Sequence, residues 1–243
     1  MYQGFLTLIE REIYRFTRLS KQTIWPPIIT TLLFIFVFGY SLGQHIKQIE
    51  GFSYIHFILP GLTSMSVITN AYANTSTSLF MGRMDKSIEN MLIAPVTYVQ
   101  MVLSLVIGGI LRGVSIGLIT LTVAKFTVHL SISNWTLCIS ILILSSILFA
   151  NLGIISALRA KTWDNIATFT NFIITPLIYL GGVFYSFSLL PGIWHKISLA
   201  NPIFYLVDAL RFATLGKGHV SIYLSCGVLL FFAGLSFAIC VYL

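Results

Sequence analysis

Six stretches of this chain are apolar for long enough to cross a bilayer: residues 25–42, 57–80, 98–124, 135–158, 166–184 and 222–243. A helix rising 1.5 Å per residue needs about 20 such residues to span roughly 30 Å of hydrocarbon. The segments between them follow other patterns. Over residues 2–21 the apolar Tyr2, Phe5, Leu6, Ile9, Ile13 and Phe16 share one helical face, and Thr7, Glu10, Arg11, Tyr14, Arg18 and Lys21 lie opposite. That periodicity predicts an amphipathic helix on the membrane surface. Residues 81–94 repeat it on a shorter scale, with Met81, Met84, Ile88, Met91 and Leu92 on one face, Arg83, Lys86 and Asn90 opposite, and Asp85 and Glu89 flanking. Pro95 stops this helix, which is suited either to docking on a soluble partner or to resting on headgroups. Leu189–Leu199 and Phe204–Leu215 are apolar but too short to cross, and read as re-entrant or interfacial helices within residues 187–216. The fold class is therefore an all-α membrane protein in one domain, residues 1–243, with an interface helix, six spans, a cytoplasmic helix and short outer helices.

Composition agrees with the pattern. Only 9% of the 243 residues are charged, against about 25% for a soluble domain, and 57% are hydrophobic. Mean hydropathy is +0.92. No short apolar core with a small-residue cleavage site precedes Trp25, Pro26 and Pro27, so the first span reads as an uncleaved anchor.

The net charge of +7 carries topology and not a nucleic-acid footprint, because the cations are scattered between spans. With the N-terminus cytoplasmic, Arg11, Arg15, Arg18, Lys21, Arg83, Lys86, Arg159 and Lys161 fall inside. Lys47, Lys125, Lys196, Arg211 and Lys217 fall outside, three of them in one long loop that weighs little in the positive-inside bias. Both termini are thus expected in the cytoplasm.

Two polar features lie at membrane depth. Thr63, Ser66, Asn70, Asn74 and Thr77 recur at three- and four-residue spacing in the second span, a stripe that must face other helices or a polar cavity. Arg112 sits near the middle of the third span, where a charge is costly and demands a partner. No carboxylate lies deep in any span to supply one. Whether stripe and arginine serve interhelical bonding or substrate contact is open at this level. Gly109, Gly113 and Gly117 on the same helix form a surface for close helix approach.

Catalytic chemistry is not visible. There is no phosphate-binding G-x-x-x-x-G-K-[ST] loop, no H-E-x-x-H and no G-x-S-x-G elbow. His45, His56, His129, His195 and His219 lie in or beside outside loops, with no metal-ligand spacing. Cys138, Cys226 and Cys240 fall inside apolar stretches as packing residues, without a disulfide framework. Transport against a gradient would then draw its energy from another chain.

The segment LANPIFYLVDALRFATLG, with Asn201, Pro202, Tyr205 and Arg211, resembles the N-P-x-x-Y-x-x-x-x-x-R run of ABC-2 type exporter permeases. EIYRFTR near the N-terminus, IENMLIAPV after the second span and TPLIYLGGVFYS from Thr175 extend the resemblance over essentially the whole chain. It is nearest to the bacterial permeases grouped with drug-resistance and nodulation-factor export. The resemblance implies an inner-membrane homodimer bound to two copies of a separate ATPase, which holds ATP and Mg; the permease binds no cofactor and performs no bond chemistry. It also implies that residues 81–94 are the coupling helix, with Arg83, Lys86 and Glu89 as polar contacts to the ATPase, aided by Arg11 and Arg15 of the N-terminal helix. Thr63, Ser66, Asn70, Asn74 and Arg112 would line the substrate pathway, and Asn201, Pro202, Tyr205 and Arg211 the outer gate. The chain stops at Leu243 without a basic tail, which leaves a final cytoplasmic contact open. The implied substrate is amphipathic, lipid-like or drug-like and moves outward. A polysaccharide or lipid-linked glycan, or an ATP-independent channel or scramblase, are the alternatives.

Overall fold

The computed structural model describes residues 2–18, 20–42 and 48–243. The expected outside residues His45 and Lys47 lie beyond these. The described chain is almost entirely helical, in the order α1 (Tyr2–Arg18), α2 (Ser20–Phe36) running into a π-helical turn (Val37–Leu42), a two-residue-per-strand hairpin β1 (Gln48–Ile49) and β2 (Phe52–Ser53), and α3 (Tyr54–Met84). Then come α4 (Ser87–Ile93), α5 (Tyr98–Val128), α6 (Trp135–Arg159), α7 (Trp163–Phe169), a π-helical stretch (Thr170–Ile174), α8 (Thr175–Leu180), α9 (Gly192–Leu199), α10 (Pro202–Leu215) and α11 (Ile222–Tyr242).

Four of the described helices are long and apolar enough to cross a membrane: Lys21–Gly39, Tyr98–Val128, Trp135–Arg159 and Ile222–Tyr242. The expected span 57–80 lies within α3, whose 31 residues are ample but whose Ser, Thr and Asn content dilutes its hydropathy. The expected span 166–184 differs more. Its helix is divided between α7, the π-helical stretch and α8, and ends at Leu180. Pro176 has no N–H for the carbonyl of Phe172, and Gly182, at φ 79°, turns the chain out of the helix.

The core is the junction of α3, α5 and α6. Ile68, Ala71, Leu121, Leu142, Ala150 and Ile154 are buried there. The α5 glycines create the close contact: a Cβ at Gly109 would sit 2.6 Å from that of Ala150, and one at Gly117 would sit 2.8 Å from both Leu142 and Val67. Gly113 abuts Ser146 and Ala71 in the same way. Small residues at one-turn intervals let backbones approach and maximise dispersion contact where lipid provides no hydrophobic drive.

Loop contacts separate two ends of the bundle. At one, Arg83 at the end of α3 donates to Ala157, Leu158 and Ala160 at the end of α6. Gly4 of α1 packs against Val96, and Leu243 shares a cavity wall with Leu79 and Tyr98. At the other, Ser133 and Asn134 donate backbone N–H groups to Thr214 and Ala213, Tyr54 donates to Phe184, and His56 meets the Val128 carbonyl.

The amphipathic α1 is helical as periodicity predicts, ending at Arg18, but its two faces have distinct partners. Leu6 and Ile13 of the apolar face are exposed, whereas Glu12 is 3% exposed and packs into the protein. The helix that carries the expected first span also begins earlier, at Ser20, so Pro26 and Pro27 lie inside α2, where neither has an N–H to give the helical ladder.

Candidate functional site

The polar stripe of α3 is divided between two arginines that arrive from different helices. Asn74, 1% exposed, accepts from Arg15 of α1 through its backbone carbonyl at 2.9 Å and its Oδ1 at 3.0 Å. Arg15 also reaches Thr77 and pairs with Glu12 at 2.9 Å, while the other Glu12 oxygen accepts from Ser78 at 2.7 Å. Gly108 of α5 makes room: a Cβ there would lie 3.0 Å from Glu12 Cβ and 3.1 Å from Asn74 Nδ2. A carboxylate is thus buried against two helices because its charge is neutralised by Arg15 and its oxygens are hydrogen-bonded.

One turn toward the other end, Asn70 Oδ1 accepts from Arg112 Nε at 3.3 Å, and Asn70 Nδ2 donates to the Ser66 carbonyl at 2.9 Å. Here no carboxylate is present. Arg15–Glu12 and His219–Glu50 are the ion pairs among the described residues. Arg112, Asn70 and Ser66 line a cavity of about 260 Å³ between α2, α3 and α5, with Gln22, Thr30 and Thr69 adding polar groups and Phe34, Leu62 and Met65 an apolar end. Thr63 is not part of it; it is buried and donates to the Leu59 carbonyl of its own helix.

Residues 81–94, expected as one amphipathic helix, are two. Met81–Met84 complete α3, Asp85 and Lys86 form a turn with Lys86 at φ 56°, and α4 begins at Ser87. The left-handed residue breaks the periodicity and sends α4 in a new direction. Arg83 gives its guanidinium to the carbonyls that end α6, at 2.7, 3.1 and 3.1 Å, so its geometry is that of a helix cap within the chain. Lys86 is exposed and Glu89 extends to solvent. Arg11 tethers α4 to α1, donating to Met91 Sδ at 2.9 Å and to Ser87 Oγ at 3.4 Å. Leu92 and Ile93 remain 56% and 83% exposed.

At the opposite end, the N-P-x-x-Y-x-x-x-x-x-R residues fasten α10 to its neighbours. Asn201 caps α10 through Oδ1 to Ile203 N and donates Nδ2 to the Leu177 carbonyl at 2.6 Å; Pro202 occupies the first turn, where no N–H is needed. Tyr205 donates to the Leu199 carbonyl at 2.9 Å, locking α10 on α9. Arg211, 3% exposed, donates to the Gly182 carbonyl at 3.0 Å and lies 3.8 Å from the Phe57 ring centre. Of the four residues expected at an outer gate, Asn201, Tyr205 and Arg211 therefore bond to backbone groups of neighbouring segments, and Pro202 starts the helix that carries them.

Residues 3–215 match the ABC-2 type transporter family. The inner membrane transport permease YadH of Escherichia coli (strain K12) is 40% identical over 230 residues, covering 95% of this chain and 90% of that protein. This chain belongs to the ABC-2 type transporter family. Nodulation protein J of Bradyrhizobium diazoefficiens is 28% identical over 257 residues, covering 98% of this chain and 95% of its own, and that of Rhizobium meliloti is 23% identical over 239 residues, covering 96% and 90%. The chain is a multi-pass membrane transport permease.

Several residues of this ABC-2 permease escaped sequence reasoning. Glu12 was hidden on the flank of an apparently surface-bound helix; its signal was the three-residue spacing to Arg15. Asp208, 1% exposed, accepts from the backbone N–H groups of His219 and Val220 at 2.8 and 3.0 Å and pins the turn before α11. Its signal was an acid three residues before Arg211. Glu50, at the hairpin turn, meets Ser186 and the His219 ring, a union of three loops that no local pattern announces. Nearby, burial raises the Tyr185 hydroxyl pKa above its ordinary value, partly offset by Ser198 and Gly182.

Proposed function

We propose that this permease is the membrane half of an ATP-driven exporter. Two copies join two copies of a separate ATPase subunit, which binds ATP and Mg, and the assembly moves an amphipathic, lipid-like or drug-like molecule from the cytoplasmic leaflet outward. In this reading α3 and the divided α7–α8 run cross the inner membrane beside the four more apolar helices, giving six crossings with both termini cytoplasmic. The clustering of Arg11, Arg15, Arg83, Lys86, Arg159 and Lys161 toward one end supports that orientation.

The observation that carries the proposal is the continuity from α4 to the α3 stripe. Arg11 holds Ser87 and Met91 of α4, and one turn on the same helix Arg15 holds Asn74 of α3. A displacement of α4 by an ATPase cleft receiving Leu92 and Ile93 is passed through rigid α1 to the cavity wall. Lys86 and Glu89 are the polar contacts to that partner, with Arg83 securing the α3 end from behind.

The test is co-purification with a co-expressed ABC ATPase subunit, comparing wild type with Lys86→Glu and Glu89→Lys. Both variants should keep wild-type thermal stability and lose tenfold or more of the ATPase bound at equal concentration. If no ATPase associates with the wild type, or both variants retain it undiminished, the exporter reading fails.

A further inference from the structure

Asn70 and Asn74 stand one turn apart on α3, and each receives an arginine from another helix. The two arginines are otherwise unlike. Arg15 is neutralised by Glu12 at 2.9 Å, and its site is closed by Gly108 and Ser78. Arg112 has Asn70 as its hydrogen-bond partner, through Nε, so the two Nη groups of its guanidinium remain unclaimed by acceptors among the described residues. Arg112 lines the cavity between α2, α3 and α5. All seven acidic residues of the chain are described, and none pairs with Arg112.

Arg112 stands 14 residues into α5, about 21 Å along the helix from Tyr98, and so at mid-membrane depth. A lone guanidinium there is costly to insert and persists where a cavity or a ligand serves it. The same fold shows, one turn away, the inexpensive remedy of a carboxylate. Leaving Arg112 without one keeps a cation facing a cavity, a fork of N–H donors whose geometry fits two oxygens of one oxyanion.

The rest of the lining describes the remainder of the ligand. At about 260 Å³ the cavity is headgroup-sized, below the range of pockets that enclose a whole drug-sized molecule. Its polar side offers Gln22 and Asn70 amides, and its other end is Phe34, Leu62 and Met65. Beside it, the outer face of α2 exposes Ile29, Leu33 and Phe36, an apolar surface for a chain.

We infer that this cavity takes the anionic headgroup of a lipid-like molecule, a phosphate or sulfate ester or a free carboxylate, with Arg112 as its countercharge and the apolar tail lying outside along α2. This deepens the exporter reading and, as to cargo, rests on it. The same headgroup chemistry belongs to an exported amphiphile and to a bilayer lipid held in place.

The experiment measures binding first, without the ATPase. Purified full-length chain in neutral detergent is titrated with dioctanoyl phosphatidylglycerol and with dioctanoyl phosphatidylcholine, which share their acyl chains. Wild type should prefer the anionic lipid by tenfold or more. Arg112→Gln should lose that preference, and Arg112→Lys, which keeps the charge without the fork, should retain part of it. Asn70→Asp keeps the arginine but gives it an internal carboxylate, as Glu12 serves Arg15, and should abolish the preference too. Thermal stability of each variant separates lost binding from lost folding. Equal affinity of wild type for the two lipids, or an undiminished preference in folded Arg112→Gln, overturns the inference. In proteoliposomes with the ATPase, ATP-dependent movement of labelled phosphatidylglycerol between leaflets identifies cargo, and selective binding without movement identifies a resident lipid; both uphold the headgroup site. Failure of the ATPase to associate defeats the exporter reading and leaves the binding result standing.

Discussion

Truncating Glu12 to alanine removes one half of an ion pair that joins α1 to the bundle. Glu12 has 4% of its side chain exposed and Arg15 23%, and the pair is closed by hydrogen bonds to Ser78, Asn74 and Thr77. Breaking a fully buried pair from one side costs about 3–5 kcal/mol, chiefly for the charge left behind. Arg15 is partly exposed and keeps both Asn74 oxygens, so its loss is smaller, and we expect Glu12→Ala to destabilise by about 2–3 kcal/mol. Arg15→Ala strands the more buried carboxylate and should cost a similar amount. The double variant has no stranded charge, so its cost should fall short of the sum by about 1.5–2.5 kcal/mol, within the range for residues in contact. The assay is equilibrium unfolding of the full chain in mixed micelles, followed by helical circular dichroism across the cycle. Costs that add to within about 0.5 kcal/mol, as for independent sites, would refute the coupling and with it the rigid link from α1 to α3.

Two further perturbations probe packing and the outer end. Gly113→Val should destabilise by about 1–3 kcal/mol through forced separation of α5 from Ala71 and Ser146, whereas Gly227→Ala in α11, where a Cβ meets nothing within 4 Å, should stabilise by about 0.5–1 kcal/mol; thermal melts in detergent compare them. Asp208→Asn weakens two charge-assisted bonds to His219 and Val220, and should lower stability by about 1–2 kcal/mol while speeding proteolytic nicking in the 216–221 turn.

Hydrophobic patterning carried the all-α membrane class, the shortness of the outer helices and the helical character of residues 2–18, because the bilayer demands long apolar runs and internally satisfied backbones wherever the chain meets lipid. The glycine interval on α5 announced close packing for a similar reason: a missing Cβ at one-turn spacing is a one-dimensional signal. The stripe on α3 was legible as polar but not as divided, since periodicity states which residues share a face and not what lies opposite each turn of it. Only the tertiary structure placed Glu12 and Arg15 beside Asn74 while leaving Arg112 beside Asn70 with no acid. It also set Arg83 across the end of α6 as a cap and joined Glu50, Ser186 and His219 from loops more than 30 residues apart in sequence. Charges are decided by such distant neighbours, because the cost of a buried ion depends on the one group that can neutralise it, and that group is chosen by helix packing and not by its place in the chain.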